Sequence, residues 1–336
     1  MTNRQNLAIV IPAYKEAFFY LALQSLAIQT NKNFKVYIGD DCSPFDLKKI
    51  VDLFSKDLKI IYQKFSFNIG AKDLVNQWTR CIELTENEEW LWLFSDDDIA
   101  EANCVEQFFK TIGEKGDRFD VYRFNTCVIN DKGEITHDPV IGPAEESSEE
   151  MACNLLLGKR GNSMPDHIFS RKVYNDSGGF VFTKFAQSAD WAASILFSKG
   201  KGLCIISKAK IFWRQSELNV SSVTHDNRGE MIEGYKTFLL WLNKHFEYLD
   251  YKRDTNVTRQ MIQEASWINF KHLLQYHYKG FDKTNLLRLV KFAHDQFGTS
   301  IAKAFKDLVQ IIVFWENLKM RKRLSRIKRF LFYKMS

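Results

Sequence analysis

The chain has 336 residues, 45% apolar and 14% aromatic, which allows one large domain with an appendage or two domains and excludes wholesale disorder. Its net charge of +6 is local: eight of the 47 Lys and Arg residues lie between Asn317 and Ser336 with no acid among them, leaving 39 basic against 41 acidic residues elsewhere. That distribution argues against a broad nucleic-acid groove.

In chain order, Leu7 to Ile11 predicts a buried strand ending at Pro12-Ala13-Tyr14-Lys15. This run is too short for a signal peptide, and no apolar run reaches spanning length. Apolar residues at helical spacing predict a helix over 17–29. Phe34 to Ile38 is a second strand closing on Gly39-Asp40-Asp41, a helix follows over 45–55, and Leu58 to Tyr62 is a third strand. Phe67-Asn68-Ile69-Gly70 is a turn, followed by a helix over 71–84. Trp90 to Phe94 is continuously apolar, as in a parallel strand covered on both faces. Ser95-Asp96-Asp97-Asp98 stands where that strand ends. Strand alternating with helix predicts an α/β fold with a mostly parallel sheet and right-handed crossovers. The polar strand ends at Tyr14, Asp40-Asp41 and Asp96 to Asp98 then converge on one edge, where such sheets bind ligands.

Further on, a helix is expected over 101–113, a strand over 121–129, a turn at 130–133 and a helix over 149–157. A short strand at 167–170 and a short helix at 172–177 precede Gly178-Gly179-Phe180. Asp190 and Trp191 open a helix ending at Gly200, and residues 203–207 and 209–214 predict a last strand pair. A polar stretch follows over 215–228, and the chain past it is expected to be helical. The expected organisation is an α/β domain over 1–220, a helical domain over 221–316 and a tail over 317–336. In the tail, Leu324, Ile327, Phe330 and Leu331 recur among arginines and lysines. Such a basic amphipathic helix suits an anionic membrane surface; a solvated helix or an oligomer contact is the plainer alternative. The six scattered cysteines form no CxxC pair and predict reduced thiols in a cytosolic protein.

Three adjacent carboxylates at a strand end repel one another, and hard oxygen ligands suit Mg²⁺ or Mn²⁺. The alternative is a solvated turn with Asp98 capping the next helix. No GxGxxG follows the first strand and no GxxxxGK[ST] occurs, so phosphates bound here would depend on a metal rather than on a glycine-rich loop.

Five segments in order resemble inverting family 2 glycosyltransferases of the GT-A fold, of the bacterial surface-polysaccharide type. They are IVIPAYKE at 9–16, IGDDCSPFD at 38–46, FNIG at 67–70, FSDDDI at 94–99, and GGF at 178–180 with Asp190-Trp191 after it. The resemblance covers roughly residues 5–220. It implies that Tyr14 packs on a nucleotide base beside the Pro12 backbone and that Asp41 accepts a hydrogen bond from that base. Asn68 belongs to the family's Asn-x-Gly turn at the same site. Asp96 falls where ribose or phosphate is contacted, and Asp97 on the ligand to Mn²⁺ or Mg²⁺. Asp98 is a second ligand, a support or a cap. Arg214 and the 215–225 loop resemble the segment over the diphosphate, and Asp190 is the candidate general base. Ser95 departs from the family's acidic pattern, and His225 is a weaker metal candidate. The implied partners are a nucleotide-sugar, UDP-sugar favoured, a saccharide acceptor on a lipid, and an anionic membrane surface, with no nucleic acid. The implied location is the cytoplasm, at the inner face of the cell membrane. Two readings compete with sugar transfer: a sugar-phosphate nucleotidyltransferase, for which PAYKE is a poor phosphate loop, and a non-catalytic membrane-docked scaffold that binds nucleotide-sugar or glycan.

Overall fold

The computed structural model describes residues 7–217, 219, 228–251, 256–277 and 285–334, with side chains as far as residue 317. The chain forms two compact units, Met1–Asp226 and Asn227–Ser336.

The first unit is built on one mixed sheet. Its strands are β1 (Leu7–Ala13), β2 (Phe34–Asp40), β3 (Ile60–Lys64), β4 (Trp90–Leu93), β5 (Ile99–Ala100), β6 (Val121–Ile129), β7 (Ile135–His137), β8 (Glu145–Glu146), β9 (His167–Ser170) and β10 (Leu203–Arg214). The order is β3-β2-β1-β4-β9-β6-β10-β5, with β7 on β6 and β8 on β10. Strands β3, β2, β1 and β4 are parallel neighbours, β9 is antiparallel to β4 and β6, and β6 pairs in parallel with β10. The sheet is therefore mostly parallel, as the alternation predicts.

Residues Leu7 to Ile11 are fully buried on both faces of the sheet, which is why they read as an unbroken apolar run. One face is covered by α1 (Phe19–Ala27), which buries Phe19, Ala22, Leu23 and Leu26 at three- and four-residue steps. The helices α2 (Leu47–Leu53) and α3 (Leu74–Ile82) start at Asp46 and Asp73, whose side chains accept from the backbone N–H three residues on. Four more α-helices are present among the described residues of the unit: α4 (Cys104–Lys115), α5 (Ser148–Leu156), α6 (Arg171–Asp176) and α7 (Ala189–Phe197). A capping box of Ser147 and Glu150 opens α5.

The expected strand pair at 203–214 is instead one twelve-residue strand. Its register against β6 shifts between Ile206 and Lys210, so the Ser207-Lys208 interruption is a bulge rather than a turn. The bulge lets one strand run the full length of β6 and deliver Arg214 at its end.

The second unit contains α8 (Arg228–His245), α9 (Arg259–Tyr276), α10 (Leu286–Phe297) and α11 (Ile301–Lys334). Phe238, Leu239, Leu242, Trp267, Phe270, Leu274 and Leu289 are buried, while Leu286 and Phe292 are half-buried. Helix α11 crosses the expected 316/317 boundary without a break; the tail's side chains and His225 lie outside the described residues. Among the described residues no helix is long and apolar enough to cross a membrane. All six cysteines are free thiols.

Candidate active site

Strands β2, β1 and β4 end side by side and deliver three sets of polar residues to one edge. Asp96 closes the loop after β1: its Oδ2 accepts from the backbone N–H of both Tyr14 and Lys15, each at 2.8 Å. The Lys15 ammonium lies 3.2 Å from Asp96 Oδ1 and donates to Asp97 Oδ2. Burial pulls the Lys15 pKa down, but the Asp96 and Asp97 charges more than offset it and the net shift is upward. Asp97 is raised by burial and by Asp96, against the opposing pull of Lys15 and Arg214.

Asp98 is fully buried. Its Oδ1 accepts from the Arg214 backbone N–H at 2.7 Å, and its Oδ2 has no hydrogen-bond partner. Burial first, and the neighbouring Asp97 charge second, push its carboxyl well above the ordinary range. Arg214 is 1% exposed, not a surface charge. Its Nε donates to the Asp97 carbonyl at 2.9 Å and its Nη1 to the Asn130 carbonyl at 2.8 Å. The guanidinium carbon stands 4.2 Å from the Phe18 ring centroid, while Nη2 is left without a hydrogen-bond partner.

Asp40 and Asp41 have divided roles. Asp40 braces the turn, accepting from Ser43 N–H at 2.7 Å and from the Tyr62 hydroxyl. Asp41 is cradled by the turn after β3. Its Oδ1 accepts from Ile69 N–H at 2.9 Å and from Arg80, and its Oδ2 from Gly70 N–H at 2.8 Å and Asn68 Nδ2 at 2.9 Å. A Cβ on residue 70 would stand 2.6 Å from Asp41 Oδ2, so only glycine admits this approach. Arg80 stacks over Phe65, 3.8 Å from the ring centroid. Tyr14 is 44% exposed, leaving a ring face open beside this edge, and its carbonyl accepts from Ser43 Oγ at 2.7 Å. Pro12 pairs with Gly39 in the sheet.

Asp190 lies in the first turn of α7 rather than at its cap, which is Ser188. The approach to it is strained: Phe185, Ala186 and Ser188 have φ of 58°, 53° and 58°, a region that L residues occupy at a cost. Asn162 Nδ2 donates to Asp190 Oδ2 at 3.2 Å. Desolvation, only partly offset by Asn162 and by backbone N–H groups at the start of α7, pushes the carboxyl up to about 6. The segment carrying Asn162 is anchored by Asp166, which accepts from Ser163 N–H at 3.0 Å and pairs with buried Arg123. Trp92, in β4, donates its indole N–H to the Pro165 carbonyl at 2.7 Å and so ties this segment to the strand that precedes the aspartates.

Residues 8–178 match the model of the family described as glycosyl transferase family 2. The chain belongs to that family. An uncharacterized glycosyltransferase of Haemophilus influenzae is 27% identical over 183 residues, 52% of this chain and 55% of that protein. This chain thus matches only about half the length of that relative. Solved structures of S. aureus TarS 1–349 are similar in fold. The complex with UDP-GlcNAc has a TM-score of 0.55 at 15% identity, covering 93% of this chain and 92% of that one. The complex with UDP has a TM-score of 0.53 at 15% identity, covering 93% and 91%.

As a family 2 glycosyltransferase the chain has the GT-A architecture, and Pro12, Tyr14, Asp96, Asp97, Asp98 and Arg214 meet at one sheet edge. Asp41 and Asn68 share a cradle linked to that edge through Ser43. Asp190 belongs to a separate group with Asn162. Sequence reasoning missed Lys15, Arg80 and Asn162. A lysine directly after Tyr14 was a usable signal; nothing local marked Arg80 or Asn162.

The hard oxygens of Asp97 and the unpartnered Oδ2 of Asp98 fit a divalent cation chemically. No group of three or more His, Cys, Asp or Glu among the described residues could hold one by itself. A cation here would share its coordination with ligand oxygens, and Lys15 would have to leave Asp97.

Proposed function

We propose that this family 2 glycosyltransferase moves a sugar from a nucleotide-sugar, a UDP-sugar by preference, to a hydroxyl of a lipid-linked saccharide, with inversion, in surface polysaccharide synthesis. The observation that carries the reading is the contrast between a carboxylate cluster already supplied with cations at the strand ends and a separate, desolvated Asp190. The UDP and UDP-GlcNAc in the similar TarS structures favour a uridine donor.

In this reading Tyr14 offers its exposed ring to the base, and the Asp41 cradle sets the shape of the base pocket. Every lone-pair direction of the Asp41 carboxylate already has a donor, so a base N–H must share or displace one of them. Asp97, with Asp98 beside it, would hold a divalent cation, which would supply positive charge to the departing diphosphate. Asp190 is ionised at neutral pH and accepts the proton of the acceptor hydroxyl. That oxygen bonds to the anomeric carbon as the bond to the diphosphate oxygen breaks, and attack from the opposite face inverts the centre. The basic tail is proposed to hold the enzyme at the inner face of the membrane, where its acceptor resides.

The test begins with melting temperatures in UDP, GDP and dTDP, each with and without Mn²⁺, for wild type and Asp97→Ala. A ligand at about a hundredfold over its Kd stabilises by about 2.7 kcal/mol. UDP stabilisation that needs metal and is lost in the variant supports the donor site, and transfer from a UDP-sugar to a lipid-linked saccharide completes the case. No shift with any nucleotide overturns it.

A further inference from the structure

We infer that Lys15 is an exchangeable counter-ion of the donor site: its ammonium occupies Asp97 in the ligand-free protein, gives way to a divalent cation, and then serves the diphosphate that shares that cation. The inference rests on the reading of Asp97 as a metal ligand.

Two features carry it. Lys15 bridges the Asp96 and Asp97 carboxylates, and its own backbone N–H is fixed to Asp96 Oδ2 at 2.8 Å. The residue therefore stays at the strand end while its flexible four-carbon stem can redirect the charge. Asp97 has no comparable tie, since the contacts of its carboxylate centre on that ammonium while Arg214 holds its backbone carbonyl. A cation binding Asp97 must first displace a like charge from it. This weakens the metal alone and makes its retention depend on an arriving diphosphate. Once displaced, the ammonium is left beside a dianionic group and Asp96.

The experiment is calorimetric titration of Mn²⁺ alone, and of UDP at saturating Mn²⁺, into wild type, Lys15→Gln and Lys15→Arg. Lys15→Gln is expected to bind Mn²⁺ at least tenfold more tightly and UDP at least tenfold more weakly. Lys15→Arg keeps the charge and should stay near wild type in both titrations. Opposite signs are the signature, because damage to the β1 loop would weaken both ligands together. Unchanged or weaker Mn²⁺ binding in Lys15→Gln, with UDP still bound by wild type, overturns the inference and leaves the donor site standing. Absence of UDP binding by wild type under every condition overturns both.

Discussion

The two carboxylate groups of this glycosyltransferase are equipped in opposite ways. At the strand ends, Asp41 takes four donors, Asp96 two backbone N–H groups and an ammonium, and Asp97 the same ammonium. Asp190 has neutral donors only, Asn162 and the backbone N–H groups at the start of α7, and a strained lead-in. Asp41, Asp96 and Asp97 have a cation beside them, whereas burial with neutral donors alone raises Asp190 to about 6, which suits the base proposed above. Identical side chains are thus assigned different work by their surroundings.

The largest effect that would break this contrast is expected from Asp190→Asn. Transfer should fall by about 10²- to 10⁴-fold, the range for removing a general base, while UDP binding holds. The variant should also melt higher than wild type at pH 8. The native pKa of Asp190 lies above its unfolded value, so its contribution to stability is greatest at low pH and is lost as pH rises through about 6. Full activity in the variant would remove Asp190 from the mechanism. Next in size is the pH profile: the rate at saturating substrates should drop about tenfold per unit below pH 6, and a flat profile down to pH 5 would mean that another group takes the proton.

Gly70→Ala sharpens the donor side. Its Cβ would crowd Asp41 Oδ2, so the donor KM should rise several-fold with little change in kcat; the reverse pattern would place the cradle in the chemical step. The smallest effect is Ser147→Ala, which removes the α5 capping box without touching a side chain of either group. It should cost about 1 kcal/mol in denaturant unfolding and leave kinetics alone.

Much of the sheet was legible because buried parallel strands are unbroken apolar runs, and β1 and β4 are such runs, with β2 interrupted only by Lys35 before its polar end. The β10 bulge was not, because Ser207-Lys208 in a strand looks like a turn until its partner β6 is known. At the site, residue types named the aspartates, but the partners that divide their roles come from afar. Arg80 reaches Asp41 across 39 positions, and Arg214 reaches Asp98 across 116. Asp190-Trp191 marked the start of a helix in the sequence, and the structure places the left-handed Ser188 at its cap, two residues earlier.

The left-handed residues Phe185, Ala186 and Ser188 also set a direction for engineering. Each non-glycine residue there costs on the order of 1–3 kcal/mol, which glycine would largely relieve. A laboratory search for heat-resistant variants would therefore be drawn to these positions first, and would loosen the very segment that aims α7. In the function proposed for Asp190, heat resistance and turnover would pull these three residues in opposite directions.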